Sequence, residues 1–245
     1  MLYYKMDLPK ISILTPCYNR TKWLPLMLFN LQQQDYPRHL LEWVILDSKD
    51  GDSDEKLFKS QGEIKEAEKI IGFKIKYEYK KEKMSIGCKR NYLTKRLASY
   101  KICANMDSDD IFLPMWLRHS IEVMKSDKRC SLVGTKGMIF CYPDDDYKLT
   151  GIECEAKRMI HESGLVYTRR HWAQMGGFTK SSQGEGCKMI DFNENMCLCT
   201  DASKVIICIC HDGNTINKDR FRDADIGEVV LGGILKKIVS DILQK

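Results

Sequence analysis

Three carboxylates fall within four residues in Asp107-Ser108-Asp109-Asp110. Like charges this close repel one another unless something neutralises them. A hard divalent cation with oxygen ligands does so, and it can hold a diphosphate on its open side. Asp107 and Asp109 point the same way if extended geometry persists through the stretch; an acidic loop without metal is the plainer alternative. Lys89-Arg90-Asn91, early in an expected helix, suits a phosphate. Asp47 follows a second apolar run and is either a helix-capping acid or a contact to a nucleotide base or ribose. Pro16-Cys17-Tyr18-Asn19-Arg20 follows the first such run.

These groups need a scaffold, and the rest of the chain reads as one. Short β-rich runs alternate with helical stretches, the pattern of an α/β fold with a mostly parallel central sheet flanked by helices. Strands are predicted at Ile11–Thr15, ended by Pro16, and at Glu42–Leu46, Lys74–Tyr79 and Ile102–Met106. Helices are expected from about Thr21, through the charged stretch after Asp54, and from Ile86 to Tyr100. Another follows Pro114, with Trp116, Leu117, Ile121 and Met124 on one face. Beyond it the pattern is less regular: strands at Leu132–Tyr142, Leu165–Thr168 and Lys204–Cys210, and an amphipathic helix near Ile226–Leu243. In an open parallel sheet ligands bind beyond the carboxyl ends of the strands, where Pro16–Arg20, Asp47 and Asp107–Asp110 all fall. No Gly-x-Gly-x-x-Gly follows the first strand and no Walker A run exists, so dinucleotide and P-loop readings fail.

The 245 residues, 43% hydrophobic and 30% charged, can bury a sizeable core without a staple. No Pro/Gly linker or repeat marks a boundary, so one domain is expected over 1–245. Within it we expect a nucleotide-binding half to about 115, an acceptor half over about 116–220 and a C-terminal helix over about 224–245. The longest apolar runs, Leu24–Phe29 and Val205–Cys210, are far short of a membrane span. No secretory signal is evident, and the expected setting is cytoplasmic and reducing. The net charge of +5 is concentrated in residues 54–96, with 13 bases against 7 acids. Most of that excess reads as a solvated Lys/Glu helix, with no nucleic-acid partner implied. The 11 cysteines are scattered through apolar runs as buried thiols are. The pairs Cys197/Cys199 and Cys208/Cys210 are spaced more tightly than structural zinc usually has them.

Taken together, the motifs resemble the family 2 glycosyltransferases of GT-A (Rossmann-like) fold, in the family's order over about Lys10–Lys218. Ile11–Arg20 is similar to the opening strand with Pro-x-Tyr-Asn, and Val44–Asp47 to the second-strand acid. Ile86–Asn91 is similar to a Gly-x-Lys-Arg-Asn segment, and Met106–Asp110 to the Asp-x-Asp metal motif. His211-Asp-Gly-Asn-Thr215 is similar to a late His-x-x-Asn-Thr segment. The resemblance implies a metal-dependent inverting transfer from a nucleoside diphosphate sugar to a hydroxyl acceptor on a glycan, lipid or protein. A UDP-sugar is favoured, with GDP- or dTDP-sugars as alternatives. It implies Mn²⁺ or Mg²⁺ held by Asp109 with Asp107 and His211. It also implies a donor pocket from Pro16, Tyr18, Arg20, Asp47, Lys89, Arg90, Asn91, Asp107 and Ser108. With no transmembrane segment expected, a lipid-linked acceptor would be met by peripheral membrane contact.

One departure stands out. The family usually places two acids after a Gly-Gly-Phe-like loop. Here Gly176-Gly177-Phe178 is present, but the acidic pair reads Glu185-Gly186. Glu185 is then the expected base and Asp191 the substitute for the second acid. The alternative is a relative that binds nucleotide sugar or glycan without efficient turnover. Specificity is expected in the irregular stretch around Tyr142–Glu185.

Overall fold

The computed structural model describes residues 7–49, 55–155, 160–190, 196–224 and 233–243. Strand β1 (Ile11–Tyr18) pairs in parallel with β2 (Leu41–Ser48) and β4 (Ile102–Asn105), and β2 with β3 (Lys74–Lys80). The run 3-2-1-4 is the nucleotide-binding half of a doubly wound sheet. Beyond β4 the order continues through β9 (Val166–Thr168), β6 (Leu132–Thr135) and β10 (Cys197–Thr200) to complete seven strands. β9 is antiparallel to both of its neighbours, so the sheet is mostly, not wholly, parallel. A second sheet of four strands has the order β5 (Asp110–Phe112), β11 (Ile206–Ile209), β7 (Gly137–Tyr142), β8 (Lys148–Glu153).

Helices α1 (Leu24–Gln32), α2 (Gln61–Ile71) and α4 (Trp116–Ser126) begin and bury much as their periodicity predicts. Pro25 sits in the first turn of α1, where a missing amide is harmless. In α4 the buried residues Trp116, Leu117, Ser120, Ile121 and Met124 form one stripe. Asn30 of α1 pins β5, its Nδ2 donating to the Asp110 carbonyl at 2.8 Å and its Oδ1 accepting the Phe112 amide at 3.1 Å. The short helices α5 (Arg169–Gln174) and α6 (Cys187–Ile190) follow β9.

Three sequence expectations are corrected here, and one is met as far as it is described. Pro16 does not end the first strand, which runs on to Tyr18. β4 stops pairing with β1 at Leu14, so the missing Pro16 amide faces no partner strand. The helix expected over Ile86–Tyr100 is α3 (Ile86–Tyr92) followed by a wider π turn, Leu93–Leu97. There Thr94 Oγ1 bonds back to the Arg90 carbonyl at 2.8 Å. The run Leu132–Tyr142 is two strands in two sheets, broken at Lys136, where Thr135 Oγ1 donates to the Gly137 carbonyl and accepts its amide. The C-terminal helix is described from Gly233 to Leu243 as α7, with Val239 and Ile242 buried in the main core. Residues 225–232 lie outside the described residues.

The two cysteine pairs lie on different sheets, Cys197/Cys199 in β10 and Cys208/Cys210 in and just after β11. Six of the 11 cysteines are buried, and all are reduced.

Candidate active site

The link between the two sheets is the acidic stretch itself. β4 ends at Asn105 in the large sheet and β5 begins at Asp110 in the small one, so Asp107–Asp109 turn at the junction. β5 pairs antiparallel with β11, Cys208 opposite Asp110. Carried outward, that register delivers His211 to Asp109, with Nε2 3.1 Å from Oδ2. Arg20 Nη2 reaches the same oxygen at 3.1 Å. Arg20 follows Asn19, whose φ of 55° bends the chain back over the end of β1 in a region Asn tolerates. Burial alone would push the Asp109 carboxyl up; the His211 hydrogen bond and the charges of Arg20, His211 and Lys218 hold it below its ordinary value. Asp110 goes the other way, raised to about 7 by burial and by its acidic neighbours against the pull of Lys218. It accepts from Ser163 Oγ at 3.2 Å and the Ile209 amide at 3.3 Å, joining three segments.

α3 supplies the cations. Ser85 caps it, accepting the Cys88 amide at 3.3 Å, and Lys89 and Arg90 are 2% and 1% exposed. The ammonium of Lys89 meets the Cys17 carbonyl and lies 5.4 Å from the Tyr18 ring centre. Arg90 bridges Asp107 (Nη2–Oδ1, 2.9 Å) and Glu185 (Nε–Oε1, 3.0 Å); its Nη1 is buried with no hydrogen-bond partner among the described residues. A buried guanidinium held by two carboxylates stays charged. Glu185 is 4% exposed. Burial raises its carboxyl and Arg90 opposes this, while Glu162 and Asp107 add to the rise.

Gly87 lets these parts meet. A Cβ there would stand 1.8 Å from the Thr179 carbonyl oxygen and 3.0 Å from Glu185 Cβ. With only hydrogen, the Gly87 amide donates to the Ser181 carbonyl at 2.8 Å and the 179–185 loop lies flat on α3.

The result is a cleft of about 640 Å³, lined among others by Pro16, Tyr18, Arg20, Lys89, Arg90, Asp107, Ser108, Asp109 and Glu185. That size suits a small-molecule ligand. Two of the expected donor contacts stand elsewhere. Asp47 is buried, its Oδ2 accepting the Leu57 amide at 2.9 Å and the Tyr77 hydroxyl at 2.8 Å, and it does not line the cleft. Asn91 is turned to the Gly-Gly-Phe loop: Nδ2 donates to the Phe178 carbonyl, and Oδ1 accepts the Phe178 amide and the Trp172 indole. Asp191 lies outside the described residues.

The cleft also holds His161, Glu162, Ser163 and Lys218, which sequence reasoning did not place in the site. The first three precede β9. Because β9 runs antiparallel with Val166 opposite Ala104, the residues before it lie at the same sheet edge as those after β4. Lys218 faces Asp110 and Asp109, whose charges help to hold its ammonium protonated against burial.

The donors fit a divalent cation. Carboxylate oxygens and one imidazole are what Mn²⁺ accepts, and Arg20 on Asp109 is a positive charge of the kind the acids require. Among the described residues no three His, Cys, Asp or Glu side chains close a cage.

Residues 12–183 match the sequence pattern of glycosyl transferase family 2. The chain belongs to that family. Its architecture is mixed α/β, of GT-A type. Solved structures of similar fold include the mannosyltransferase PcManGT from Pyrobaculum calidifontis in complex with GDP-Man and Mn²⁺. That match has a TM-score of 0.62 and 18% identity, covering 88% of this chain and 59% of that one. S. aureus TarS 1–349 in complex with UDP-GlcNAc matches with a TM-score of 0.61 and 16% identity, covering 84% of this chain and 60% of that one. The chain thus spans about three-fifths of these relatives' lengths. No curated protein resembles it closely enough in sequence to count as a relative. Among the described residues no helix is long and apolar enough to cross a membrane.

Proposed function

We propose that this glycosyltransferase moves a sugar from a nucleoside diphosphate donor to a hydroxyl acceptor, with inversion and with the help of Mn²⁺ or Mg²⁺. The observation that carries the reading is the convergence in one cleft of Asp107 and Asp109, the latter bonded to His211, with the cations Arg20, Lys89, Arg90 and Lys218. An acid-rich turn surrounded by bases is what a metal-bridged diphosphate requires, since each partner neutralises the other. The complexes of similar fold with GDP-Man and Mn²⁺ and with UDP-GlcNAc support the donor class, and a UDP-sugar remains the favoured donor.

Asp109 and His211, with Asp107, would hold the cation. When bound, it supplies charge stabilisation at the departing diphosphate. Arg20 then swings from Asp109 toward phosphate, and Lys89 and Lys218 hold theirs against the leaving group as negative charge builds. Pro16, Tyr18 and Ser108 line the donor side, the half up to about residue 115. The acceptor enters from the half beyond it. Its hydroxyl proton passes to a carboxylate of the cleft wall, where Glu185 and Glu162 stand. This wall argues against the binding-only alternative.

The test is nucleoside diphosphate release from UDP-, GDP- and dTDP-sugars with Mn²⁺. We expect release from at least one donor and its loss in Asp109→Ala, together with Mn²⁺-dependent donor binding. Donor binding in Asp109→Ala with unchanged Mn²⁺ dependence would reject the metal assignment.

A further inference from the structure

We infer that Glu162 is the base that takes the acceptor's proton, standing in space where a side chain at position 186 would otherwise lie, and that Glu185 is a positioning residue. The inference rests on the transfer reading above.

A base must line the cleft and must keep a carboxylate oxygen open to the acceptor. Glu185 lines the cleft, but it is poorly placed to meet an acceptor. It is 4% exposed, and its Oε1 accepts Arg90 Nε at 3.0 Å. Arg90 also holds Asp107 at 2.9 Å. Glu185 is thus the buried arm of a three-membered ion cluster, and its charge is spent on fixing the guanidinium beside Asp107. Glu162 differs in burial and in partner. It is half-buried and lines the cleft. The one hydrogen bond of its side chain among the described residues is from the Gly186 amide to Oε1, at 3.3 Å. Oε2 is left for an acceptor.

Position 186 explains why. A Cβ built on Gly186 would stand 2.7 Å from Glu162 Cγ, and 3.4 Å from Oε1. Carbon atoms cannot approach so closely, so a side chain at 186 and Glu162 in its present place exclude one another. The glycine that breaks the expected acidic pair is the condition for an acid arriving from another segment. Glu162 comes from the stretch before β9, which the antiparallel register sets across from the acidic turn. The sequence gap at 186 is filled in three dimensions.

The step is a single displacement. The acceptor oxygen forms its bond to the sugar carbon as the bond from that carbon to the diphosphate oxygen breaks. The hydroxyl proton passes to Glu162 Oε2, and the nucleoside diphosphate leaves with the electron pair.

The experiment uses the full chain with UDP-glucose, UDP-N-acetylglucosamine and GDP-mannose in Mn²⁺, following nucleoside diphosphate release to acceptor or water and donor affinity by calorimetry. We expect Glu162→Gln to lower kcat by about 10²-fold or more, with donor affinity within about threefold of wild type and an unchanged melting temperature. The exchange Glu162→Ala with Gly186→Asp moves the carboxylate to the other segment. It should recover at least about tenfold over Glu162→Ala alone. A Glu162→Gln enzyme within about threefold of wild type, or an exchange no faster than Glu162→Ala, overturns the assignment. A wild-type chain that binds none of the three donors overturns the transfer reading, and this inference falls with it; binding that survives with altered kcat separates the two.

Discussion

At the scale of single residues, the site is organised around Arg90. Its guanidinium is 1% exposed, and Asp107 and Glu185 are both bonded to it. Removing one partner from such a cluster leaves buried charge without compensation, which costs more than the cluster gains by forming. Arg90→Met should therefore destabilise the fold by about 3–5 kcal/mol, read from urea unfolding. Arg90→Lys keeps the charge but not the fork, since one ammonium cannot serve Nε and Nη2 positions together. We expect it to keep the fold and lose most turnover; an Arg90→Met protein as stable as wild type would show the cluster to be dispensable.

At the scale of elements, two glycines on two helices predict opposite results. Gly87 in α3 has backbone oxygen 1.8 Å from the position of a Cβ. Gly87→Ala must push the 179–185 loop off the helix, at a cost of at least about 1–3 kcal/mol, and should lower kcat through displacement of Glu185. Gly62 in α2 meets only Ser60 Oγ, at 3.5 Å. There a methyl group restricts the unfolded chain without a clash, so Gly62→Ala should stabilise by about 0.4–1 kcal/mol. Thermal melts of the two variants check the contrast. A Gly87→Ala protein with wild-type melting would mean that the loop does not rest on α3 as described.

At the scale of the whole molecule, the far half of the fold is tied together by a neutral histidine. His171 is fully buried; Nε2 donates to the Met189 carbonyl at 2.7 Å, so Nδ1 accepts from Ser131 Oγ at 2.8 Å. It thereby joins α5, α6 and the start of β6. Burial lowers its pKa from the ordinary 6.5, against the Met189 hydrogen bond. As pH falls below 6.5 the unfolded chain takes up the proton first. The contribution of this group to stability is therefore complete above that pH and is lost as pH drops toward the folded value, at no more than about 1.4 kcal/mol per pH unit. Unfolding free energies between pH 7.5 and 5.5 should show a shallower slope in His171→Gln than in wild type. Equal slopes would remove His171 from the acid response.

The sequence by itself determined the alternation of strands and helices in the first half and the acidic turn with its neighbouring bases. Those features are local: periodicity marks the buried faces, and strand ends mark where ligands bind. It also located Glu185 and His211 by resemblance. What it missed depends on direction and on contact between distant segments. β9 is three residues long and runs against its neighbours, so the residues before it reach the cleft, although no local pattern distinguishes an antiparallel strand from a parallel one. Asp47 and Asn91 sit in the expected places along the chain, but tertiary hydrogen bonds from Tyr77, Trp172 and the Phe178 backbone claim their side chains. In the sequence Gly186 looks like the loss of an acid. Only the packed structure shows Glu162 against it, because mutual exclusion of two side chains is a property of space and not of order along the chain.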